Sequence, residues 1–203
     1  MKKSFILTLL MSFVLFCSCT NCKGNKEEQI EIDSTLNVTN IISMDCQEMY
    51  LMNPTYRWYE SNILLENFLD EENDGTIEEI VNIFQTVTGD EKSFDTWVHK
   101  FQHLKDGTVY KDSIHGFWIE DYPLNNEMIK VPFDSAYTLV QEVNLPKPHS
   151  RQVCLRKPIG PKDCNPQWIF GNVNEQIWID AVTGEAKNSN PAFPDTFKYA
   201  FNW

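Results

Sequence analysis

The chain has 203 residues, of which 42% are hydrophobic and 13% aromatic, enough apolar material to bury a core, so disorder is excluded as a description of the whole. A net charge of −12 argues against nucleic acid as a partner, because the phosphate backbone would be repelled. No catalytic constellation stands out. The expectation is one ordinary domain or two small ones that share a core.

Residues 1–22 open with Lys2 and Lys3, run through an apolar segment at 5–16 and end in a cysteine cluster. The apolar segment is shorter than the ~20 residues a membrane-spanning helix needs, so it reads as an export signal over residues 1–18. Ser18 and Cys17 are small enough to precede a cleavage site, which makes Cys19 the expected first residue. The stretch FCSC resembles the lipobox of bacterial lipoproteins, with Phe16 where that family usually has Leu. The resemblance implies a diacylglyceryl group on Cys19 and stable membrane attachment, since each buried CH₂ contributes ~0.8 kcal/mol. The protein is then expected in the cell envelope, periplasmic or surface-exposed.

Residues 19–45 are largely polar and read as a tether, with the globular part beginning near Cys46. A first α+β unit is expected over 46–124 and a second over 125–187, followed by an aromatic tail at 188–203. Trp58, Leu65, Phe68 and Leu69 suit a helix over 56–69. TIEEIVNIFQ (76–85) can be laid over PFDSAYTLVQ (132–141), and both show one apolar helical face. Residues 94–106 fit a helical stripe as well as an alternating strand. We read them as strand, because Trp97, His99, Phe101 and His103 share one face and the KDG turn at 105–107 suits a hairpin. QWIFG (167–171) and QIWIDAV (176–182) read as further strands. The expected fold class is therefore α+β, a helix packed on an antiparallel sheet in each of two tandem units.

The helix opening at Pro132, the antiparallel strands and the closing IDAVTGEA (179–186) resemble the PepSY domain and its cystatin-like relatives. The match covers residues 132–186, with a fainter echo at 76–121. It departs from the family in its Pro-rich hairpin and in lacking a protease domain. The resemblance implies a binding or inhibitory module.

Cys154 and Cys164 flank LRKPIGPKD, whose two prolines and glycine read as a hairpin turn. A disulfide across that turn would contribute ~2–3 kcal/mol. Metal ligation by the same cysteines is the poorer reading, as no second CxxC or paired histidine accompanies them. Between Arg57 and Lys92 there are ten carboxylates and no basic side chain. There DEENDGTIEEIV (70–81) partly resembles an EF-hand loop, with Asp70, Glu72 and Asp74 at ligand positions, but Val81 stands where the bidentate glutamate belongs. No metal site is therefore assigned, nor any cofactor. Opposite in sign, residues 146–162 hold Lys147, Arg151, Arg156, Lys157 and Lys162 with no carboxylate. Arg151, Arg156, Lys157 and Lys162 are the candidate partner-binding residues, suited to an acidic protein face or an anionic glycan. The competing reading is a charged edge strand that blocks aggregation. Function follows as a lipid-anchored, non-catalytic binding or inhibitory module. The alternative is an envelope enzyme or accessory that uses the acidic stretch with a cation.

Overall fold

The computed structural model describes residues 36–72, 74–90, 93–159 and 164–188. Within them α1 (Val38–Met52) precedes β1 (Arg57–Leu65), β2 (Ile77–Asp90), β3 (Ser93–Leu104) and β4 (Val109–His115). A two-residue β5 (Asp121–Tyr122) and a 3-10 turn (Asn126–Met128) lead to α2 (Phe133–Glu142). Then come β6 (Gln152–Pro158), β7 (Gln167–Gly171), β8 (Gln176–Asp180) and β9 (Ala186–Asn188). The strands lie in the order β4-β3-β2-β1-β6-β7-β8-β9, with β5 added against β6. Every pairing is antiparallel, and β1 meets β6 in the middle, from Glu60 opposite Arg156 to Leu64 opposite Gln152.

This architecture overturns the expected helix-on-sheet fold of two tandem PepSY or cystatin-like units. The described chain builds one nine-stranded antiparallel sheet with only two short helices, a sheet-dominated fold. The helix expected over 56–69 is instead β1, and 76–85 lies in β2, so the overlay of 76–85 on the helix at 132–141 fails. The physical reason is burial on both sides. Positions 82–86 of β2 are all buried, polar Asn82, Gln85 and Thr86 among them, so no strict alternation marks the strand and Ile77, Ile80, Val81 and Phe84 fall at helical spacing. The expected tether is also too long at its C-terminal end, because Val38, Ile42, Cys46 and Met49 already form the buried face of α1. Asn37 caps that helix, accepting from the Asn40 N–H at 2.9 Å. The strand at 93–104, the helix at 133–142 and the strands at 167–171 and 176–180 agree with the sequence reading.

Both helices lie on the same face of the sheet. From α1, Asp45 reaches Asn82 and His103, and from α2, Phe133 packs edge-on against Trp168 with ring centroids 5.7 Å apart. Strand alternation sends Ser61, Ile63, Ile80, Asn82, Phe84, Phe101, Val153, Leu155, Trp168, Phe170, Ile177 and Ile179 to that side, and all are buried. The turn closing β8 is built as IDAVTGEA suggests: Asp180 accepts from the Val182 and Thr183 N–H groups at 2.8 and 2.9 Å, and Gly184 has φ 76°. Gly75 is likewise constrained, because a Cβ there would stand 3.0 Å from the Tyr137 ring. No helix among the described residues is long and apolar enough to cross a membrane. Cys19, residues 1–35 and the aromatic tail from residue 189 onward lie outside the described residues.

Candidate functional site

Among the described residues no helix lies on the other face of the sheet, and chemistry collects there. Alternation directs Glu60 of β1 and Cys154 and Arg156 of β6 to this side, and the register sets Glu60 opposite Arg156. After β4 the chain crosses over them as a strap, residues 116–124. It is tied by the Gly116 N–H to the Thr96 carbonyl (2.9 Å) and by the Trp118 N–H to Gln85 Oε1 (2.7 Å). Further on, β5 pairs with Lys157 and Pro158, and the Leu124 N–H donates to the Trp58 carbonyl at 2.6 Å.

The strap delivers Asp121 to Arg156, with Oδ1 2.8 Å from Nε and the carboxylate wholly inaccessible to solvent. The contact is an ion pair without hydrogen-bond alignment. Among the described residues neither Asp121 oxygen nor Arg156 Nε has an aligned hydrogen-bond partner. Burial pushes the Asp121 carboxyl up to about 7, against the pull of Arg156 and with help from Glu60 and Glu120. Glu60 is also raised by burial, although Asn62, Arg156 and Cys154 draw it the other way. The Cys154 thiol donates to Glu60 Oε1 at 3.4 Å, and burial beside that carboxyl holds it well above the ordinary thiol range. Such a thiol is a poor nucleophile.

The residues expected to bind a partner are not brought together. Arg151 pairs with Glu78 and donates from Nε to the Leu65 carbonyl at 2.7 Å. Arg156 is spent on Asp121. Lys157 lies over the Tyr122 ring, 5.6 Å from its centroid, and Lys162 lies outside the described residues. No disulfide pair is seen among the described residues. Cys154 carries a thiol turned toward Glu60, and Cys164 Sγ sits 3.3 Å from the Pro158 carbonyl oxygen. Sequence reasoning missed Glu60 and Asp121 as a pair of buried acids, for nothing local joins residues so far apart in the chain.

The acidic loop is occupied with its own structure. Both Asp70 oxygens lie 3.0 Å from His149 Nδ1, and that imidazole stacks on Phe68 with centroids 4.1 Å apart. Asp74 caps the turn by accepting from the Thr76 N–H at 3.0 Å. Among the described residues no group of three or more His, Cys, Asp or Glu side chains is placed to hold a metal ion.

Beneath α1 a second polar group is fully partnered. Asp45 accepts from Asn82 Nδ2 at 2.7 Å and meets His103 Nε2 at 2.9 Å, while the Ser61 hydroxyl donates to Asn82 Oδ1. Ser61 and Asn82 are wholly buried, so this set locks helix to sheet and offers no exposed nucleophile. Burial also lowers His99, which sits between the Thr86 and Ser113 hydroxyls at 2.8 Å each.

What the surface does expose is apolar. Lys111 points to the helix side, where it meets Glu48, so alternation turns Tyr110 and Ile114 of β4 to the helix-free side. The strap adds Phe117, Ile119 and Tyr122. Ile119 is 76% exposed, Phe117 62% and Ile114 60%, values that a folding core does not explain. Comparison with protein-family models, curated proteins and solved structures yields no match.

Proposed function

We propose that this is a lipid-anchored cell-envelope protein, non-catalytic, that binds a protein partner through the strap and the adjoining face of β4. One observation carries the reading: Tyr110 and Ile114 of β4 and Phe117 and Ile119 of the strap that follows it each leave at least 57% of their surface in solvent. Large apolar and aromatic side chains grouped this way suit the anchor residues of a protein interface. The flanking Asp112 and Glu120, and a net charge of −12, favour a partner surface that is apolar at its centre and basic at its rim. An anionic glycan has less support, since Arg151 and Arg156 are already paired with carboxylates. The PepSY-like resemblance of residues 132–186 also implies a binding role.

The test is in-cell photocrosslinking from position 119, compared between the native surface and Phe117→Asp. Binding at the strap predicts a discrete crosslinked protein that disappears with the aspartate, whereas Lys157→Glu leaves it unchanged. A crosslinked product that survives Phe117→Asp and is lost with Lys157→Glu would move the interface to the basic strand. Attachment is tested separately. Cys19→Ser should release the protein from membranes, and retention of labelled fatty acid in that variant would refute Cys19 as the anchor.

A further inference from the structure

The strap that carries Phe117, Ile119 and Tyr122 is fixed to the sheet at its far end by a buried charge arrangement that is one cation short. Asp121 from the strap and Glu60 from β1 both face Arg156 of β6, and Glu120 lies close enough to add to the negative field. Cys154 brings no compensating charge. Lys157, which follows Arg156 in β6, is engaged over the Tyr122 ring, and His115 at the strap's entry is paired with Asp95 at 2.6 Å. The Asp121–Arg156 contact lacks hydrogen-bond alignment, and elsewhere in the strap the Trp118 indole N–H is buried without a partner among the described residues. So the side-chain contact that fixes this end of the strap depends on a charge balance that one proton decides.

We propose that Asp121, set against Arg156 with Glu60 beneath, is a proton-operated latch that fixes the strap in acid and lets it loosen in alkali. The inference rests on the reading of the strap as a partner surface, whose regulation it supplies. With Asp121 protonated, Arg156 and Glu60 can balance one another and the strap lies flat. With both acids ionised, the buried group carries excess negative charge, which only opening to water relieves. The sign follows from linkage. Asp121 moves from 3.8 when open to about 7 when docked, so the docked state retains a proton that the open state has lost. Docking is therefore strongest below about pH 4 and weakens progressively up to about pH 7.

Native-state hydrogen exchange of the full-length protein, read on peptides spanning 116–124 and corrected for intrinsic rates, tests the latch directly. The shift of Asp121 predicts roughly thirtyfold weaker protection at pH 8.5 than at pH 5.5. Peptides from β2 and β3 should not follow. Asp121→Asn, which keeps the shape and cannot ionise, should flatten the strap's profile, and His115→Gln should leave the pH dependence intact. A strap equally protected at both pH values in the unmodified protein overturns the latch whatever the variants do. So does a slope that survives Asp121→Asn. If the slope is present but crosslinking from position 119 ignores Phe117→Asp, the latch stands and only the partner reading falls.

Discussion

Glu60 and Ser61 are neighbours in β1, yet they serve buried polar groups on opposite faces of the sheet that are built by opposite rules. On the helix side Ser61 joins Asn82, Asp45 and His103, and Asp45 has both oxygens engaged at 2.7 to 3.0 Å. On the helix-free side Glu60 joins Cys154, Arg156 and Asp121, and the Asp121 carboxylate has an ion-pair neighbour but no aligned donor. Both groups bury charge-bearing side chains to a similar depth. The difference teaches that alignment rather than proximity decides which cluster fixes the fold and which one stays labile, because a desolvated acceptor without a donor keeps its full desolvation cost.

The largest expected effect comes from breaking the satisfied cluster. Asp45→Ala leaves Asn82 Nδ2 and His103 Nε2 without their acceptor beneath α1, at about 3 kcal/mol for two orphaned buried groups. Denaturant unfolding at neutral pH measures it, with the midpoint expected to fall and the slope to hold. Asp121→Asn should cost less than a third of that. Equal losses in the two variants would erase the distinction between the clusters.

How far these clusters were legible in the sequence differs in the same way. The strand at 93–104 could be read because His99, Phe101 and His103 alternate with the more polar Lys100 and Gln102, and the second helix because Pro132 precedes an amphipathic run. The Asp180 turn was legible because Thr183-Gly184 is a local signal. By contrast β2 is buried on both faces, and its apolar residues coincide with helical spacing, so periodicity alone misassigned it. The first helix was missed because its buried stripe begins at Val38, inside a stretch whose polar composition suggested a tether. From sequence alone Arg156 reads as a partner-binding cation. Only the long-range pairing of β1 with β6 and the crossing of the strap reveal that it lies against buried acids, and no window of sequence contains both.

A smaller and pH-dependent loss is expected on removing the cation. Arg156→Met keeps the length of the side chain and leaves Glu60 and Asp121 facing each other without a positive neighbour. In acid both are protonated, and the variant should match the parent closely. Above neutrality the unfolded chain ionises both acids freely while the folded one resists, so about 2 kcal/mol should be lost by pH 8. Paired urea titrations at pH 5 and pH 8 give the comparison. A loss of the same size at both pH values would mean that Arg156 acts through packing alone.

Asp180 supplies the opposite case among the acids and the smallest effect. Burial by itself would raise its carboxyl, but the backbone N–H groups of Thr183 and Val182 and the amides of Asn165 and Gln167 point at it and hold it below the usual range. Its folded value lies below the unfolded one. Its stabilisation is therefore present at neutral pH and fades as pH falls through the carboxylate range, the reverse of Asp121. Asp180→Asn keeps the side-chain shape but weakens the charge-assisted bonds, which for a partly solvated group amounts to about 1 kcal/mol at pH 7 and progressively less as acidification protonates the carboxyl. Because Asp180 is bonded within its own turn, the loss should be accompanied by faster exchange at Val182 and Thr183 and by no change in the strap. Faster exchange at 116–124 in this variant would show that the two faces of the sheet are coupled, and that the separation of aligned from misaligned acids is not local.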